Sequence, residues 1–539
     1  MPMKAPLRRL EVHPGAVLFP AFGLLLLVPL AAAFSPLFDG GMFSNLVRAF
    51  SEPRFVRSFG YGISQAAASA VLAALVGIPG AFLLARRQFP GKKILSALSA
   101  VPFCVPPLII AIGFVLYYGR QGFLNRALMT AFGLTEPPLQ FLYSFSGVVL
   151  AHGFYNFPVV MRFVGDAWAT APRRHKDAAR LLGASEWRVF LTVTLPSILP
   201  AFGAAMSLVF LMCFYSFVIV LLFGGPGVGT PEVELYRAAR FEFDRPLASA
   251  FALVETVVAM LVLYAYSMFE RRAAADRREA ERSTPSGFRN SRGVFLALLY
   301  GAFILVCFIG PLASIVVESL TMRTAARGVF SFGFGNYTSL FARRGFGAAV
   351  LNTMVLGLSS AALAAATGFA FSVGMKRTRS SLMAKILPLL PLGISSVVLV
   401  YGWNAVLGSP SVFALAAVQA VSAYPFALRA IQSSVGLSDE RYVEAARSLG
   451  SSRLGATLRV RLPMAAPSIA SGFALAFAMS AGDANAIIAA PVSGFETLAL
   501  LLYRLAGSYR LNEACAAAVL LAVATGFIFF WKDARDGLA

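Results

Sequence analysis

Residues able to do chemistry are scarce in this chain, and its two richest polar stretches repeat one another. Residues 177–196 read DAARLLGASEWRVFLTVTLP and residues 444–463 read EAARSLGSSRLGATLRVRLP, 267 positions apart. Ten of the twenty aligned positions are identical. Both run from a carboxylate (Asp177, Glu444) through Ala-Ala-Arg to a glycine, and both reach proline after the same interval, Gly183 to Pro196 and Gly450 to Pro463. A lone carboxylate beside arginine and apolar residues suits a contact surface, towards a cytoplasmic partner or as an amphipathic loop on lipid headgroups, more than the making or breaking of bonds. Elsewhere, Asp483 in SAGDANA and Glu255 in ALVETVVA stand alone inside apolar blocks. The three histidines, His13, His152 and His175, are scattered, and His152 reads as a packed helix residue. Cys104, Cys213, Cys307 and Cys515 all lie in apolar blocks without metal-ligand spacing, so packing is their expected role. No HExxH, no pair of acids within an apolar block and no Ser/His constellation is present. These absences argue against an enzyme, and no cofactor or metal site is expected.

Composition says what must position these residues. The 539-residue chain is 58% hydrophobic and 13% charged, about half the charge of a soluble domain. Its apolar residues fall in blocks long enough to span a bilayer as helices, which need roughly 20 residues each. Twelve spans are expected near 14–36, 60–85, 94–118, 142–161, 198–223, 247–269, 293–318, 348–375, 386–408, 411–428, 467–492 and 512–531. The net charge of +21 would suggest nucleic acid in a soluble protein; here it reads as topology, and no nucleic-acid partner is expected. With both termini inside, the loops assigned to the cytoplasm hold more than twice as many Lys and Arg as the outer loops. The first apolar run is read as an uncleaved span and not a signal peptide, because it is long for one and further spans follow. Tyr236 and Tyr503, each before an arginine, are expected at the outer interface as aromatic-belt residues.

The repeat organises the chain. Residues 1–269 form a first half, the charged stretch 270–292 a cytoplasmic linker, and 293–539 a second half. At the same offset Pro158 and Arg162 match Pro425 and Arg429, Thr230 matches Thr497, and LYR at 235–237 matches LYR at 502–504. Towards the start of each half the offset grows to about 290, with the extra residues assigned to an outer loop at 118–143. Six spans per half is an even number, so the halves are parallel repeats related by an axis along the membrane normal. Within the repeated stretches, Ala and Arg favour helix, Gly183 and Gly450 interrupt it, and Ser185 and Ser452 are placed to cap a second short helix. Trp187, Phe190 and Leu191 share one face of that helix, matched by Leu454 and Leu458, and Pro196 and Pro463 are expected to end it.

These stretches resemble the EAA loop of ABC importer permeases: EAA, three residues, Gly, and a downstream LP. The resemblance implies two docking sites for a cytoplasmic ATPase, formed by Asp177, Ala178, Ala179, Gly183 and Trp187 in one half and Glu444, Ala445, Ala446, Gly450 and Leu454 in the other. It implies an all-α polytopic membrane protein of the type I importer kind in a bacterial inner membrane, served by two ATPase copies and an extracytoplasmic binding protein. The first copy departs from the pattern with Asp for Glu but keeps the carboxylate. No GxxxxGK[ST] loop occurs; FPGKK (89–93) lacks the spaced glycine and the Ser/Thr, and GGPGVGT (224–230) lacks lysine. ATP hydrolysis is therefore assigned to the partner. Permeases fused in this way resemble those for thiamine and for iron(III). YGRQGFLN (118–125), LAHGFYNFPVVMRF (150–163), FLMCFYSFVIVLLFGG (210–225) and AGSYRLNEACAAAVL (506–520) are more similar to the thiamine type, leaving iron(III) as the alternative. Asp483 has two readings, a group on the translocation path or a cap on the turn after Gly482. A secondary transporter is the rival from another class, but it would need intramembrane coupling groups beyond Asp483 and Glu255.

Overall fold

The computed structural model describes residues 15–89, 91–92, 95–96, 105–171, 173–225, 229–277, 286–287, 291–323, 330–375, 387–437 and 440–536. Expectations for Cys104, for the first part of the span expected at 94–118 and for most of the linker fall outside them. The described chain is helical apart from two minor strand pairs, Arg87–Gln88 with Ser286–Gly287 and Thr321–Arg323 with Phe330–Phe332.

Among the described residues ten helices are long and apolar enough to cross a bilayer, against twelve expected spans. One of the two differences has a local cause. The ninth expected span is a 3-10 segment, Leu387–Gly393, followed by a twelve-residue helix, Ser396–Leu407. Pro388 and Pro391, three positions apart, each remove a backbone donor there, which weakens a continuous α-helix. The corresponding helix of the first half starts only at Pro107, after Pro106, and runs for twelve residues to Tyr118. The twelfth expected span lies in the helix Leu511–Asp536, 26 residues long, whose sequence stays apolar as far as Trp531. The helix Arg245–Arg277 overruns its expected end at 269, so the linker begins as helix.

The two halves repeat one packing scheme. Helix Pro53–Arg86 lies along Phe145–Ala169, and both contact Leu195–Phe214; in the second half Phe346–Met375, Val412–Leu437 and Leu462–Gly482 do the same. Small residues allow the close approach. A Cβ on Gly77 would sit 2.7 Å from the carbonyl oxygen of Phe157, and one on Gly472 2.9 Å from that of Ala427. Such contacts replace the hydrophobic drive that lipid does not supply.

The opening helices are exchanged. Gly15–Phe34 packs on Ser396–Leu407 and Phe346–Met375 of the second half, with the Phe22 ring 4.5 Å from Tyr424. Reciprocally, Tyr300 donates to the Val76 carbonyl at 3.0 Å, Tyr118 donates to the Cys307 carbonyl at 3.1 Å, and Gly310–Leu320 packs on Pro107–Tyr118. Each half is thereby clasped by the first helices of the other.

Candidate functional site: two matched loops and a cavity between the halves

The repeated stretches fold alike, down to single hydrogen bonds. Helix Arg173–Leu181 ends as Gly183 takes φ +81°, and helix Glu440–Ser448 ends as Gly450 takes φ +91°. In the first loop the Gly183 amide donates to the Arg180 carbonyl at 2.9 Å and the Ala184 amide to the Ala179 carbonyl at 3.0 Å. In the second, Gly450 donates to Arg447 and Ser451 to Ala446, both at 3.0 Å. This pair of reversed bonds is the Schellman termination, which needs a left-handed residue where glycine stands. A second short helix starts at once in each, Glu186–Val189 and Arg453–Ala456. Ser185 accepts from the Arg188 amide at 3.4 Å and Ser452 from the Gly455 amide at 3.0 Å, the expected N-caps.

The expectation that Pro196 and Pro463 end these short helices is corrected by the structure. Each short helix continues through one π turn, Phe190–Thr194 and Thr457–Arg461, into the following span. The proline falls in the first turn of that span, where its missing donor costs little. Loop and span therefore form a single rod with a widened turn at the joint. Asp177, Ala178, Gly183, Trp187, Glu444, Ala445, Gly450 and Leu454 are exposed, while Ala179 and Ala446 are half-buried. Between them stand leucines left bare to solvent: Leu181 is 90% exposed, Leu182 88% and Leu449 88%. In the first loop Arg180 bonds both Asp177, at 3.0 Å, and Glu186, at 2.7 Å, tying one short helix to the other. The second loop has Arg453 at the Glu186 position, so this tie is not repeated.

Deeper in the molecule the long helix of each half breaks at the same place. Leu195–Phe214 stops, and Val218–Phe223 begins three residues later; Leu462–Gly482 stops, and Asn485–Ala489 begins. The breaks face a cavity of about 260 Å³ lined by both halves. Its walls are paired by the repeat: His152 with Gln419, Met212 with Met479, Ser216 with Asp483. Pro106 and Ser395, which precede the two twelve-residue helices, also reach it.

Asp483 starts a turn and also reaches the cavity. Its Oδ1 accepts from the Asn485 amide at 2.9 Å, starting the next turn, and its side chain lines the cavity. His152 is packed as expected, with Nδ1 3.0 Å from Gln65 Oε1 and Nε2 2.7 Å from Ser216 Oγ. Glu255 is fully buried, neither oxygen has a hydrogen-bond partner, and it does not line the cavity.

Sequence reasoning missed Glu232. The segment after Gly224 looked like outer loop, yet Pro231–Arg237 is a helix folded into the protein, and Glu232 reaches the cavity. Its Oε1 accepts from the hydroxyl of Ser395 in the other half, and Ser395 Oγ in turn accepts from the Val397 amide at 3.0 Å. One signal was available. In the repeat Glu232 and Glu234 align with Ala499 and Leu501, apolar positions that imply burial.

A second cavity of about 230 Å³ opens between the halves near the matched loops, lined by Arg162, Asp166, Glu270 and Arg429 among others. Arg429 donates to Glu270 at 2.6 Å and to the Tyr266 hydroxyl, joining the second half to the last long helix of the first.

The chain matches the family described as "Binding-protein-dependent transport system inner membrane component" twice, over residues 77–275 and 357–532. It is 29% identical to the thiamine transport system permease protein of Brucella abortus (strain 2308) over 86% of this chain and 84% of that protein. It is 27% identical to the corresponding protein of Escherichia coli (strain K12), over 97% of each. Among solved structures, a bacterial ABC transporter involved in the import of the acidic polysaccharide alginate aligns over 47% of this chain and 92% of that chain, with 19% identity and a TM-score of 0.41. Two membrane-spanning repeats, each ending its polar loop in the same turn and each matched by the family, make this chain a member of the inner-membrane components of binding-protein-dependent transport systems.

Proposed function

We propose that this chain is a two-half permease of an ATP-driven importer for thiamine. The observation that carries the coupling role is the pair of loops at 177–196 and 444–463. Two surfaces with the same Schellman turn, the same serine cap and the same π turn, set on related rods, suit a partner that is itself two-fold. The partner is a pair of cytoplasmic ATPase subunits, and the bare leucines beside Gly183 and Gly450 are the apolar part of each contact. Docking residues are Asp177, Ala178, Ala179, Gly183 and Trp187, and Glu444, Ala445, Ala446, Gly450 and Leu454. The relatives named as thiamine permeases, similar over most of the chain, support the substrate.

The mechanism follows from the rods. ATP binding draws the two docked short helices together. Because each short helix continues into a span that ends at the central cavity, movement at the loop reaches the cavity wall. The halves rock about their shared axis, and the cavity opens alternately to a periplasmic binding protein and to the cytoplasm. Asp483, at the break of its span, is a path residue in this scheme. The linker and both termini lie in the cytoplasm. The chain performs no covalent chemistry and hydrolyses no ATP.

Iron(III) is the weaker substrate. The relatives similar over most of the chain are named as thiamine permeases. A thiamine auxotroph lacking its own transporter tests the proposal. Supplied with this chain, its ATPase and its binding protein, it is expected to grow on low external thiamine; ferric uptake without thiamine uptake would overturn the assignment.

A further inference from the structure

The central cavity is nearly symmetric in shape but not in charge. Among the described residues two carboxylates line it, Glu232 and Asp483, and no Lys or Arg does. Their repeat partners are Ala499 and Ser216. A carboxylate demanded by the architecture of a half would occur in both halves; these occur once each, so they are additions to the wall.

Glu232 is 1% exposed. Ser395 satisfies one oxygen, while Oε2 has no hydrogen-bond partner. Gln419, also 1% exposed, lines the same cavity with neither its amide nitrogen nor its amide oxygen bonded. Buried polar atoms left in this state are costly and persist where something else completes them. The rings of Tyr155, Phe217 and Phe426 stand on the same walls, and aromatic faces attract cations when water is excluded.

We infer that Glu232 is the charge-reading residue of the translocation path: it accepts a flat-ringed organic monocation in the central cavity, with Gln419 pairing the polar edge of the ligand's ring. The inference rests on the cavity being the substrate path of the thiamine importer proposed above. Thiamine, with its permanently charged thiazolium and its aminopyrimidine edge, is the probe of that class. Ser395 bonds the carboxylate from across the seam, but the charge that reads the ligand is Glu232's own.

The test uses the full complex of chain, ATPase and binding protein in lipid vesicles, with uptake of labelled thiamine normalised to complex yield. Glu232→Gln keeps the volume and can still accept from Ser395, but lacks the charge. Uptake below saturation is expected to fall about tenfold or more, as for loss of one partner of a desolvated charge pair. Ser395→Ala keeps the charge and is expected to lose much less. Were Glu232 only a strut between the halves, the order would reverse, and that result overturns the inference. A wild-type complex that takes up no thiamine overturns the substrate reading beneath it; thiamine uptake that is indifferent to Glu232→Gln overturns the Glu232 assignment alone.

A second measurement stands if Glu232→Gln assembles poorly. Ser480 lines the cavity and is buried. In a Ser480→Cys complex, a cationic methanethiosulfonate should react faster relative to a neutral one than it does with free cysteine, and thiamine should protect. A ratio at or below that of free cysteine refutes a cation-reading cavity.

Discussion

Replacing Gly183 and Gly450 by valine tests the coupling loops with little collateral damage, because the structure separates backbone strain from steric clash. At both positions φ is firmly positive, +81° and +91°. A Cβ added at either meets nothing within 4 Å. The whole cost is therefore local backbone strain, about 1–3 kcal/mol for a residue forced into the left-handed region, and β-branched residues fare worst there. The leucine before each glycine is bare to solvent, so the loop relieves the strain by giving up the Schellman turn. That reorients the short helix, and the strain reappears as lost ATPase docking. The same 1–3 kcal/mol corresponds to about 5–150-fold in the docked population. Each single variant is expected to insert and accumulate normally, to retain less ATPase on co-purification and to transport more slowly. The double variant is expected to lose uptake almost completely. Asparagine, which tolerates the left-handed region, should be milder than alanine, and alanine milder than valine. Wild-type ATPase retention and uptake in both valine variants would refute the docking role of these loops.

Three further outcomes follow from the same geometry. Gly77→Ala, whose new methyl carbon would lie 2.7 Å from the Phe157 carbonyl oxygen, is expected to reduce the amount of folded protein in the membrane, as measured by fluorescence-detected size exclusion, without selectively weakening ATPase retention. Asp177→Ala removes an exposed contact to Arg180 while leaving Glu186 in place; exposed pairs contribute about 0–1 kcal/mol, so uptake should stay within about fivefold of wild type. Single cysteines near Gly122 and Ser493 should react with an impermeant thiol reagent added outside intact cells, and cysteines near Glu281 and Ser451 should not; labelling at Ser451 from outside contradicts the docking scheme.

What could be read in advance was whatever the chain states twice. The loops were legible because Gly183, Ser185, Gly450 and Ser452 each have one physical job, and the interval to proline repeats without a gap. The π turns were not, since nothing in FLTVT or TLRVR differs in type from ordinary helix. Proline misled here: Pro196 and Pro463 suggested an end, yet a first-turn proline continues a rod as readily as it starts one. Spans were legible where apolar runs are unbroken and illegible around Pro391, where a 3-10 segment and a twelve-residue helix replace a full one. The cavity was the least legible feature, because its walls are single residues from broken helices that only the fold assembles. Asp483 stood out as an acid in an apolar block. Glu232 did not, because its polar surroundings disguised a buried position.

The central claim is that this chain, driven by an ATPase it does not contain, carries thiamine through the space between its halves. The direct test is uptake of labelled thiamine into vesicles holding the purified chain with its ATPase and binding protein, with ATP on the ATPase side. The account predicts accumulation against a gradient that requires all three proteins and ATP hydrolysis, and that disappears in the double Gly183→Val, Gly450→Val variant. Concentrative uptake by the chain alone, driven by an ion gradient without the ATPase, would contradict it.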